Sequence, residues 1–234
     1  MKKNVLKQTL LPALLAIGMS APVAAFAGTG DIALGVKGGT AGMGGELTVG
    51  LLDRLNFRTG YNSFNYKGNT TQSDIAYDYK LKLQSIPLLL DLHPFGGGFR
   101  VSSGVFINNN KVSSTAKASN ISTITIDGVT YTLGAGNDIG SVTGKVDFNS
   151  TAPYLGIGWG NAVGKNSHLS ITFDAGIMFQ GSPKVALTPN DVNLPAPQQA
   201  ILDDHIVQEE AQLKNDIKDL KYYPIISLGL AYKF

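Results

Sequence analysis

Cysteine is absent from the chain, tryptophan occurs once and histidine three times. No disulfide can form, and metal sites built from thiolates are excluded. The three histidines never pair at ligand spacing, so neither a metal centre nor a cofactor is expected. Charge is also scarce, at 15% of residues. Beyond the first 27 residues no apolar run approaches the about 20 residues that a membrane-spanning helix needs. An excess of basic charge is missing too. The formal net charge of +2 counts Lys2, Lys3 and Lys7, and without them sixteen basic residues face seventeen acidic ones. No global basic field remains to argue for nucleic acid as a partner.

The three lysines belong to an address. They precede an apolar stretch from Leu10 to Ala16, which continues less purely through Ile17 and Met19 to Val23, and Ala25-Phe26-Ala27 supplies a small-x-small cleavage site. Pro12, Gly18 and Pro22 interrupt the stretch, which is too short for a membrane anchor. Residues 1–27 therefore read as a cleaved signal peptide, with cleavage set by Ala25 and Ala27. About 207 residues, from near Gly28 onward, then suit one domain.

What the chain has is alternation. The last strand runs Ile226, Leu228, Leu230, Tyr232, Phe234 against Ser227, Gly229, Ala231 and Lys233, and ends flush with the sequence. A strand apolar on one face and small or polar on the other suits a membrane β-barrel. Ile32-Leu34-Val36, Leu47-Val49-Leu51 and Leu55-Phe57-Thr59-Tyr61 repeat the pattern, as do Phe99–Ile107, Pro153–Trp159 and Leu169–Phe179. A fourth, longer strand changes phase. Tyr77, Tyr79, Leu81 and Leu83 form its first apolar row, while Ile86, Leu88, Leu90 and Leu92 form the second. A β-bulge near Ser85 is the favoured explanation, burial on both faces the other.

Eight strands result, with short connections after the second, fourth and sixth and long ones near 109–150 and 181–221. Short periplasmic turns and longer outer loops are the barrel rule, and an even strand count returns both ends to the periplasm. The expected fold is all-β: an eight-stranded antiparallel up-and-down transmembrane barrel. The inward rows supply Glu46, Arg58, Lys80, Lys82, Arg100 and Asp174, with Tyr154 among them. An eight-stranded lumen is just wide enough to be filled by such side chains, which must pair there. Trp159 and Phe95 are expected near the periplasmic interface.

Residues 109–150 read as a long polar loop with a hairpin at Asp127-Gly128. Residues 197–221 read as a helix with Leu202, Ile206, Leu213, Ile217 and Leu220 on one face, Asp203, Asp204, Glu209 and Glu210 towards its start and lysines towards its end. That stripe needs cover from the barrel rim, another copy or the membrane surface. The one hint of hydrolytic chemistry is His168-Leu169-Ser170, placed on the lumen row without a visible carboxylate partner. No catalytic or cofactor-binding residue is expected.

The signal peptide, eight alternating strands, inward charges and terminal Tyr232-x-Phe234 resemble the small outer-membrane barrels grouped with the OmpA transmembrane domain and the opacity-type surface antigens. The resemblance covers nearly all of the mature chain except residues 181–221. It implies residence in the outer membrane of a Gram-negative bacterium, with outer-membrane lipid around the barrel. It also implies insertion by the barrel assembly machinery, which reads the strand ending at Tyr232 and Phe234. The expected role is non-enzymatic, in envelope structure or in surface contact with a partner through the loops. A narrow channel for small solutes is the alternative, and a lipid-modifying enzyme the third reading.

Overall fold

Alternating strands that face lipid cannot leave an edge unpaired, and these pair until the last meets the first. The computed structural model describes residues 29–72, 75–118, 122–165 and 168–234. Ala25, Ala27 and the rest of the expected signal peptide lie outside them. The ring consists of β1 (Ile32–Gly39), β2 (Gly42–Leu52), β3 (Leu55–Gln72), β4 (Ile75–Leu92) and β5 (Phe99–Asn108), followed by β10 (Thr151–Trp159), β11 (Leu169–Phe179) and β13 (Tyr222–Lys233). Each is antiparallel to its neighbours, and β13 closes on β1 from Ala33↔Lys233 to Gly39↔Ser227. The expected eight-stranded barrel is the observed one.

Around the ring the apolar rows point outward. Leu34, Ile157, Ile171 and Leu228 are each about half exposed, whereas Ala33, Thr172, Ser227 and Ala231 from the alternate rows are buried. A closed ring wrapped in exposed aliphatic side chains is stable only where the surroundings are themselves apolar. Aromatic residues cluster towards both ends of this belt, Phe95, Phe99 and Trp159 near one rim and Phe179 and Tyr222, 5.8 Å apart in T-shaped contact, near the other. The first rim carries the turns after β2, β4 and β10 and both termini of the ring, while the short turn between β1 and β2 lies at the other.

The opposite rim carries a second body. β4 is not bulged: its pairing with β3 holds one register from Leu55↔Leu92 to Gln72↔Ile75. The apolar row changes sides because the surroundings do. In the barrel, Ile86 to Leu92 face lipid from the outer face. Beyond it, Ile75 and Leu83 on the inner face are buried, Ile75 in a separate apolar core. There β4 pairs with β6 (Lys111–Ala118), β6 with β9 (Ile139–Asp147), and β9 with β12 (Lys184–Val192).

A hairpin of β7 (Ser122–Ile126) and β8 (Val129–Leu133) turns at Asp127 and Gly128, both with positive φ, as a type I′ turn requires. The stretch 109–150, expected as a polar loop with this hairpin, holds two further strands, β6 and β9. The α-helix α1 spans Ala196–Asp216, and a 3₁₀ turn continues it over Lys218–Lys221. Only the first part of its apolar stripe is covered: Leu202 and Ile206 are buried with Ile126, Tyr131, Leu133 and Ile139, whereas Leu220 is half exposed. Glu209 and Glu210 accept hydrogen bonds from the backbone N–H groups of Asp127 (3.1 Å) and Leu187 (2.7 Å), which ties the helix to the hairpin and to β12.

Candidate functional site

Among the described residues, the lumen is where the barrel gathers charge away from water. Arg58, on the inward row of β3, sits at its centre. Its guanidinium donates to both carboxylate oxygens of Asp91 on β4, at 2.7 and 3.0 Å, and to both of Asp174 on β11, at 2.9 and 3.0 Å. Further bonds reach Glu46 on β2 and the Ser102 hydroxyl on β5, each at 3.3 Å. Arg100 adds a bond of 2.8 Å to Asp174 and donates to the carbonyls of Trp159 (3.3 Å) and Gly160. Lys37 on β1 pairs with Glu46. Lys37, Arg58 and Arg100 thus face Glu46, Asp91 and Asp174, so the cluster is neutral and ties six of the eight strands together. Forked guanidinium–carboxylate bonds suit a site closed to water, where every lone pair left alone is costly.

Other layers close the lumen on either side of the ions. Towards the rim with the termini, the Asn56 amide donates to the Asn161 side-chain oxygen (3.1 Å) and to Nε2 of His93 (3.2 Å). His93 Nδ1 then donates to the Gly97 carbonyl at 3.0 Å, which settles the tautomer. The turn after β10 folds Val163 inward against Ala33 and Ala231. Towards the opposite rim, Leu89, Phe106, Tyr154, Met178 and Ile225 pack as an apolar layer. Glycine makes room for it, since a side chain at Gly156 or Gly176 would strike the Tyr154 hydroxyl. Two cavities flank the ionic layer, one lined by Glu46, His93 and Thr172, the other by Lys37, Asn62 and Ser227. Each is about 10 Å³, room for a single water.

The fold has known counterparts. The solved structure of Acinetobacter baumannii CarO2 matches with a TM-score of 0.55 at 22% identity, over 87% of this chain and 98% of that one. Acinetobacter baumannii CarO matches at 0.54 and 20% identity, over 86% and 97%. The chain has the CarO-like barrel fold, an integral β-barrel of the outer-membrane type. No family model matches the chain, and no curated protein matches it in sequence.

Of the residues expected in the lumen, the structure brings Glu46, Arg58, Arg100 and Asp174 together in one network. Lys80 and Lys82 are a correction. Both are exposed and lie on the outer face of β4 beyond the barrel, because the strand keeps its register where a slip was expected. Asp91, which shares the inner face with Leu83 and Leu89, was readable too, because it alternates with the lipid-facing Leu90 and Leu92. Lys37 and Ser102 carried a readable signal, their places on the polar rows of β1 and β5. His168 and Ser170 do not serve each other: His168 Nδ1 meets the Lys233 carbonyl at 3.1 Å and Ser170 donates to the Asn161 carbonyl at 3.1 Å. Tyr232 and Phe234 are exposed at the rim with their rings 5.4 Å apart, and the Phe234 N–H donates to the Ile32 carbonyl at 3.1 Å.

Proposed function

We propose that the chain is a non-enzymatic integral protein of the Gram-negative outer membrane whose barrel is closed. Its work lies in the folded body carried beyond the rim, in an envelope-structural or surface-contact role. The observation that carries this reading is the neutral Arg58 network across the lumen, packed between a polar layer and an apolar one. A solute would have to part six strands' worth of ion pairs to pass. The grouping with the OmpA transmembrane domain and the opacity-type antigens belongs to the same proposal, supported by strand count, inward charges and the terminal Tyr232-x-Phe234. So does delivery by the barrel assembly machinery.

Planar-bilayer recording tests the reading directly. The purified protein is expected to give no stepwise conductance at neutral pH. Discrete steps that vanish on neutralising Arg58 or Arg100 would replace it with the narrow-channel reading.

A further inference from the structure

The outer face of the sheet beyond the barrel is not uniformly polar. Its charge is concentrated in the two cross-strand rows nearest the lipid belt. One row runs Asn65–Lys82–Lys111–Asp147–Lys184 across β3, β4, β6, β9 and β12, and the next Lys67–Lys80–Ser113–Lys145–Ala186. All six lysines are exposed, and the sole carboxylate in either row, Asp147, pairs with Lys111 at 3.5 Å. The two rows above hold mainly Ser, Thr and Asn, with one lysine, Lys117, held 3.5 Å from the one aspartate, Asp78.

Lys82 stands directly opposite Lys111, and Lys67 opposite Lys80. Like charges in that position destabilise a sheet unless an anion lies between them. The placement supplies one. Lys82 lies four residues before Ile86 on the same face of β4, and Lys111 four residues after Ile107 along the line of β5. At about 3.4 Å per residue and a tilt of roughly 40°, the first ammonium row stands about 10 Å beyond the last lipid-facing isoleucines and the second about 5 Å further. That is the level of the headgroups, within reach of a lysine side chain bending back towards the membrane.

We infer that this lysine ladder is a docking surface for the phosphate-bearing headgroups of outer-leaflet lipid, of the lipopolysaccharide type. Charge complementarity selects the occupant: a five-strand-wide patch carrying one acid for six bases, laid at the edge of an apolar belt. Each lysine near an anionic membrane surface strengthens binding about fivefold, and salt weakens it. The inference goes beyond the closed-lumen reading and stands separately from it, because a conducting barrel would bear the same patch.

The test is native mass spectrometry of the full protein in a neutral detergent, with bisphosphoryl lipid A and fully dephosphorylated lipid A as probes. Retention of the bisphosphoryl form is expected to exceed that of the other at least tenfold and to fall in 0.5 M salt. Lys80→Gln and Lys82→Gln should each lower it about fivefold, and the quadruple change Lys67→Gln, Lys80→Gln, Lys82→Gln, Lys145→Gln should abolish the preference. A control with Lys214→Gln and Lys218→Gln, on and just after the helix, should keep it. Equal retention of the two lipids overturns the inference, as does a preference undiminished in the single variants, or one lost equally in the control. The single variants keep the test decisive should the quadruple one fail to fold.

Discussion

Arg58 holds two aspartates at once, each through two bonds, and removing it would leave Arg100 alone to balance the buried Asp91 and Asp174. Arg58→Ala is expected to lower stability by about 3–5 kcal/mol, read from urea unfolding in lipid vesicles. Arg58→Lys should fall between it and the parent, because an ammonium keeps the charge but loses the planar fork. His93 makes a second residue-scale test. Burial holds its proton affinity below the ordinary histidine value, and the nearby positive charge of Arg100 works in the same direction against the bonds to Gly97 and the charge of Asp91. Its contribution to stability is therefore complete above about pH 6.5 and is lost progressively as the pH falls below it, since the unfolded chain takes up the proton first. His93→Asn should flatten stability between about pH 7 and pH 5 relative to the parent; an unchanged slope would refute the assignment.

At the scale of elements, α1 buries two side chains only, Leu202 and Ile206. Leu202→Ala and Ile206→Ala are each expected to cost about 2–5 kcal/mol locally and to expose the connection between β12 and β13 to protease while the barrel stays intact. Ile201→Ala and Val207→Ala, whose side chains are more than half exposed, should leave the digestion pattern unchanged. Alternation alone made the eight barrel strands legible, as it did the hairpin at Asp127-Gly128, where local chemistry dictates the turn. It did not reveal β6 and β9. Their Ser, Thr and Lys residues face water while Ala116 and Val142 face a core that is built from distant parts of the chain, so neither strand reads as buried on its own. The phase change in β4 was visible but ambiguous, because a slip in register and a change of surroundings leave the same trace in sequence. Parity marked four of the six charges of the ionic network, Glu46, Arg58, Arg100 and Asp174; Lys37 and Asp91 lie on the same inward rows.

For the whole molecule, lipid is the solvent that makes the exposed belt tolerable, and the single tryptophan reports on it. Trp159 ends β10 at the rim with the termini, 40% exposed and paired with Phe99 and Phe173 in the neighbouring strands. In reconstituted vesicles its fluorescence should be quenched more by doxyl groups near the lipid headgroup than by those at the chain end. Equal or reversed quenching would move the belt away from the position drawn here.

The unbroken run of β3 and β4 from the barrel into the outer body has a practical consequence. No break in either strand separates the two, so the outer body stands as a mast on its base. Deleting one residue between Leu83 and Ile86 would turn the outer part of β4 over, its oily side outward and Lys80 and Lys82 within, whereas removing two would merely shorten it. Grafts of foreign segments onto this scaffold must therefore keep an even count.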